Sequence, residues 1–145
     1  MTELIGYPRR KVLAVFDSRD AADAAVTGVR RSGIADGAID LYEGAADADR
    51  FDATGERHGV IARALRATQF SLMDQLPALA WYEAALRGGR TVVAVTTRDR
   101  AATLRVVEAL RGEGGHFINR FGRLATEEFA RWRGPEPGVA SLMKH

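Results

Sequence analysis

Residues 11–44, KVLAVFDSRDAADAAVTGVRRSGIADGAIDLYEG, decide the fold together with residues 91–122, TVVAVTTRDRAATLRVVEALRGEGGHFINRFG, because the second stretch repeats the first. Val12, Ala14 and Val15 align with Val92, Ala94 and Val95, a period of about 80 residues. Ala22, Ala25, Val26 and Val29 align with Thr103, Val106, Val107 and Leu110 one residue out of step, and Ile39, Asp40 and Tyr42 align with Ile118, Asn119 and Phe121. Each copy opens on a short β-branched run, VLAVF or VVAV, that reads as a strand. Asp17 and Ser18, or Thr96 and Thr97, then offer cap oxygens to a helix whose apolar positions recur every three or four residues. Gly33 and Gly112 stand where those helices end, and further strands begin near Ala38 and His116. Two βαβ units in tandem predict an α/β (α+β) domain, a ferredoxin-like plait.

Between the units, GAADADRFDATGERHG is small and acidic and reads as a loop. After it Ile61, Leu65, Thr68, Leu72, Leu76, Leu79 and Leu86 share one helical stripe. Asp74 and Pro77 interrupt the stripe and Gly88-Gly89 stops it, so a two-helix insertion is expected. Continuous apolar strands are generally buried on both faces. The sheet face that a bare plait leaves open is therefore expected to be covered by the inserted helices or by a partner chain. Thr126 to Trp132 reads as a short C-terminal helix. The expected organisation is one domain over residues 1–134, made of βαβ 11–43, acidic loop 44–58, helical insertion 59–88, βαβ 90–121 and helix 126–132, then a flexible tail 135–145.

A chain of 145 residues suits one domain, and 46% hydrophobic with 28% charged residues argues against disorder or a coiled coil. The absence of cysteine removes disulfides, thiol catalysis, thiolate zinc sites and iron–sulfur clusters. No apolar run approaches the roughly 20 residues of a membrane helix. VLAVF is also shorter than a signal-peptide core of roughly 7–15 residues. A cytoplasmic protein with no membrane partner is the expectation. Basic and acidic residues number 21 and 19, a net charge of +2 that gives only a weak basic signal.

A metal site would need His58 and His116 with a carboxylate such as Glu56, at no spacing that secures the geometry. Asp47, Asp49 and Asp52 do not make a calcium loop, because Phe51, Asp52 and His58 occupy the places of a ligand, the turn glycine and the bidentate glutamate. No metal or cofactor is expected. RGEGGH follows a helix, whereas a phosphate cradle follows a strand, so it reads as a turn. Ser18 and Ser71 lack a nucleophile elbow. The catalytic candidates that remain are His58, His116, Asp17 and Tyr82; the binding candidates are Trp81, Tyr82, Asn119 and Arg123. An RNA-binding plait needs aromatics on its central strands, and only Phe16 is present there. Arg87, Arg90, Arg98, Arg100, Arg105 and Arg111 are interleaved with Glu83, Asp99, Glu108 and Glu113, the pattern of a solvated surface, so nucleic-acid binding is disfavoured.

Three stretches, VFDSRDAADAAVTGVRRSG, WYEAALRGGRTVVAV and GHFINRFGRLATEEF, together resemble the bacterial general stress protein family, small cytoplasmic α/β domains of undetermined molecular function. The resemblance spans Val12 to Phe129, and Phe121, Gly122, Thr126 and Glu127 match the family's closing pattern. The acidic loop and the helix containing Trp81 depart from it. It implies a stress-associated role and brings no catalytic residue with it. The expected function is thus a non-catalytic, homodimeric domain that binds a partner protein or small ligand. The alternatives are a small enzyme with His58 or His116 as acid/base, its pocket lying between sheet and inserted helices, and weak nucleic-acid binding through the arginines of the second half.

Overall fold

The run KVLAVF forms strand β1 (Lys11–Phe16), buried at every position from Val12 onward. The computed structural model describes residues 9–51, 76–122 and 126–134. After β1 come α1 (Arg19–Arg31), a single 3-10 turn (Asp36–Ala38), β2 (Ile39–Glu43) and α2 (Gly44–Phe51). Then follow α3 (Leu76–Arg87), β3 (Thr91–Thr96), α4 (Arg100–Gly112), β4 (His116–Phe121) and β5 (Thr126–Ala130). The strands form one mixed-connection α+β sheet in the order β2-β3-β1-β4-β5, antiparallel at every pairing.

Alternation along the central strands divides the interior in two. Val12, Ala14, Phe16, Val93 and Val95 pack with Ala22, Val26 and Val29 of α1, Val106, Val107 and Leu110 of α4, and Ile118. Leu13, Val15, Val92 and Ala94 point the other way, onto Tyr82, Ala85 and Leu86 of α3 and onto Phe121. The second face is therefore covered by the chain's own helix α3, which α2 contacts in turn, with Ala48 fully buried.

Local chemistry sets the element ends. Ser18 Oγ accepts the Ala21 amide at 3.1 Å and caps α1. The cap of α4 is Asp99, not Thr96 or Thr97, and it accepts the Ala102 amide at 2.8 Å. Thr97 instead turns inward, 2.8 Å from the Thr103 hydroxyl. Gly114 (φ +89°), not Gly112, takes the left-handed turn after α4, and a Cβ at Gly115 would lie 2.7 Å from the Leu110 carbonyl oxygen and 2.9 Å from the Phe16 ring.

Two expectations are corrected. Residues 44–51 are helix α2, not loop: the Asp47 carboxylate accepts the Glu43 amide at 2.9 Å, and alanine, a strong helix former, supplies Ala45, Ala46 and the docked Ala48. Residues 126–130 form β5, not a helix. Five residues gain little from helical propensity, whereas pairing with β4 satisfies their backbone and sets Phe129 and Ala130 against the α1/α4 side of the core. The remainder of the acidic loop (52–58), the first part of the insertion (59–75) and the tail (135–145) lie outside the described residues. No described helix is long and apolar enough to cross a membrane.

Candidate functional site

A bulge in β4 builds the site. Leu13 faces Asn119 and Val15 faces His116, so β1 advances two residues while β4 advances three. Phe117 absorbs the extra residue at φ +46°, in the left-handed region. Without the bulge, alternation would put His116 on the face of Ile118 and Arg120. With it, His116 joins Phe117, Asn119 and Phe121 on the α3 side, because residues paired across the sheet share a face.

Tyr82, on α3, fastens this bulge. Its fully buried hydroxyl lies 2.6 Å from the Phe117 carbonyl oxygen and 3.0 Å from that of Leu13, and it accepts Asn119 Nδ2–H at 3.0 Å. One phenolic proton serves the two carbonyls. Burial pushes the Tyr82 phenol well above its ordinary range; the Asn119 hydrogen bonds oppose the shift and the charge of Glu128 adds to it. The Asn119 amide also reaches the Phe117 carbonyl oxygen at 3.4 Å, satisfying backbone that the bulge displaces.

Beside this clamp, His116 is 1% exposed and bonded through both ring nitrogens. Nδ1 accepts the Arg133 amide at 3.1 Å, which leaves the proton on Nε2 to be donated to Asp17 Oδ1 at 2.9 Å. Arg90 Nε donates to the same oxygen at 3.2 Å. The little burial of Asp17 raises its pKa, but the hydrogen bond from His116 and the hydrogen bond and charge of Arg90 outweigh it and hold the carboxyl below its ordinary value. The Asp17 side chain remains 70% exposed.

The rings of Trp81, Phe117 and Trp132 close the site on its outer side, all half-buried. Trp81 stacks on Phe117 with centroids 5.5 Å apart, and Trp132 lies 5.4 Å from Trp81 and 5.8 Å from Phe117. His116 meets Trp132 edge-on at 4.9 Å, and the Arg90 guanidinium sits 5.1 Å above the Trp132 ring.

Of the candidates read from sequence, the structure brings Asp17, His116, Trp81, Tyr82 and Asn119 into one connected cluster. His58 and Arg123 lie outside the described residues. Sequence reading missed Arg90, Phe117, Trp132 and Arg133 as site residues. The only available signal was the density of aromatic residues in HFINRF and RWR. Four of the six arginines of the second half are engaged within the chain. Arg87 pairs with Glu83, Arg90 with Asp17 and Arg100 with Glu127, while Arg111 donates to the Phe129 carbonyl. Comparison with protein-family models, with curated proteins and with solved structures finds no match to this chain.

Proposed function

We propose that this chain is a non-catalytic binding domain of a bacterial stress response, cytoplasmic and dimeric, that presents Trp81, Phe117 and Trp132 to an apolar ligand or partner. One contrast carries the reading. The acid–base candidates Tyr82 and His116 are buried and committed to internal hydrogen bonds, whereas three large rings in mutual contact remain half-buried at the surface. The finer architecture we assign is a ferredoxin-like plait of two βαβ units. It draws support from the antiparallel order β2-β3-β1-β4, with β5 added beside β4. The dimer draws support from β2 and β5, which end the sheet and each keep one flank that no other described strand engages.

The test is a titration of the full chain with the dye anilinonaphthalene sulfonate, read through dye emission and through the only two tryptophans, Trp81 and Trp132. Saturable binding that Trp81→Ala weakens about tenfold, a loss of about 1.4 kcal/mol, is the expected result. Dye binding that is absent, or equal in the variant, contradicts it. Sedimentation at micromolar concentration tests the dimer separately.

The enzyme alternative draws on the 2.9 Å contact between Asp17 and His116. It requires a turnover that His116→Ala abolishes while the fold is retained.

A further inference from the structure

We propose that a second site, a cleft of about 260 Å³ where the start of α4 meets β4 and β5, binds a small oxyanion of the phosphate or phosphate-monoester class. Arg98, Asp99, Arg100, Thr103, Arg120 and Glu127 line it. Three of these charges are internally engaged. A single Arg100 nitrogen, Nη1, donates to both Glu127 oxygens at 2.6 and 2.8 Å, and Asp99 accepts the Ala102 amide at 2.8 Å. The helix end is thereby capped, so the cleft depends on its other cations.

Arg98 and Arg120 supply them: among the described residues neither pairs with a carboxylate. Arg120 is also fixed in place. Its Nε donates to Thr97 Oγ1 at 3.0 Å and a terminal nitrogen donates to the Thr97 carbonyl oxygen at 3.3 Å. Thr97 is 1% exposed and its hydroxyl is tied to Thr103, which donates onward to the Asp99 carbonyl oxygen at 2.9 Å. Each threonine proton is thus accounted for, and Thr97 Oγ1 acts on Arg120 purely as an acceptor. Of the guanidinium's five N–H donors, two are used on Thr97 and three are left for a ligand. A planar fork that the fold has already ordered, on a half-buried side chain, is the arrangement that recognises an oxyanion with little further loss of entropy.

Size and charge set the class of ligand. The volume falls below the roughly 300 Å³ at which pockets for drug-sized molecules begin, so an anionic headgroup fits better than a whole nucleotide. Three arginines against two carboxylates leave a net charge of +1, which favours an anion with an affinity of millimolar order.

The experiment is a backbone-amide NMR titration of the full chain with inorganic phosphate, with chloride adjusted to hold ionic strength constant. Saturable shifts at Arg98, Thr103 and Arg120 are expected, with affinity reduced about tenfold in Arg120→Gln and in Arg98→Gln. Arg98 is exposed and makes none of the Thr97 contacts, so its variant keeps the test valid if Arg120→Gln unfolds. A parallel titration with glycerol phosphate separates the two sources: tighter binding than phosphate assigns the site to an ester, weaker binding to the free anion. No saturation beyond the chloride control, or wild-type affinity in Arg98→Gln, overturns the proposal.

Discussion

The two faces of the sheet are built on different principles. The face toward α1 and α4 is almost wholly aliphatic, with Val12, Val93, Val95, Val29, Val106 and Leu110 packed without a buried charge among them. The face toward α3 mixes aliphatic packing with Tyr82, Asn119 and His116, polar groups that are buried and hydrogen-bonded. Hydrophobic burial is non-directional, so the first face holds the molecule together without specifying any one contact. Buried polar groups are costly unless paired, so the second face fixes the position of each ring and loop it touches. The second face therefore carries the candidate site, and the first is a packing layer of aliphatic side chains.

Variants can break that contrast. Leu110→Ala, a deletion at a fully buried position on the aliphatic face, is expected to cost about 2–5 kcal/mol in urea unfolding. Tyr82→Phe removes no carbon from the aromatic face but takes away the hydroxyl that joins the Asn119 amide to the Phe117 carbonyl, leaving these two buried groups only their long mutual contact of 3.4 Å, for an expected loss of about 1–3 kcal/mol. A larger loss for Tyr82→Phe than for Leu110→Ala would reverse the roles of the two faces. Ser18→Ala removes the α1 cap on the aliphatic side and should lower stability by about 1 kcal/mol, with tryptophan emission unchanged because the site is untouched.

The smallest expected effect sharpens the comparison through pH. The folded-state pKa of Asp17 lies below the ordinary 3.8, so its contribution is complete above that value and is lost as pH falls through the lower folded value. Its exposure keeps the contribution small. Unfolding midpoints followed from about pH 5 to about pH 1 should drop less steeply in Asp17→Asn than in the wild type. Equal slopes would remove Asp17 from the account.

The same division governs what the sequence reveals. β1, β3, α1 and α4 are legible because their apolar positions follow the periods of strand and helix, and because Ser18 and Gly33 punctuate them. The site is legible as residue types, with Asp17, Trp81, Tyr82, His116 and Asn119 all singled out, but not as a constellation. Asp17 and His116 are 99 positions apart, and local pattern carries no information about such a contact. HFINRF reads simply as a strand beginning near His116, and the positive φ at Phe117 that brings His116 to the other face depends on pairing with β1, which local sequence does not show. Thr126-Glu127-Glu128 resembles a helix start, yet the open flank of β4 draws it into a strand, a tertiary effect that overrides local preference. The acidic segment after Gly44 misleads in the opposite sense, because Ala48 has a packing partner in α3 that composition does not show.

The aromatic rim is the surface offered to apolar ligands, whereas the aliphatic interior between the sheet, α1 and α4 is packed shut. A backbone-amide NMR map of the wild-type chain titrated with anilinonaphthalene sulfonate addresses this contrast directly. The account predicts saturable shifts centred on Trp81, Phe117 and Trp132, with Val29, Val106 and Leu110 unmoved. Shifts centred on the buried positions Val29, Val106 and Leu110, or spread evenly over the sheet, would contradict it.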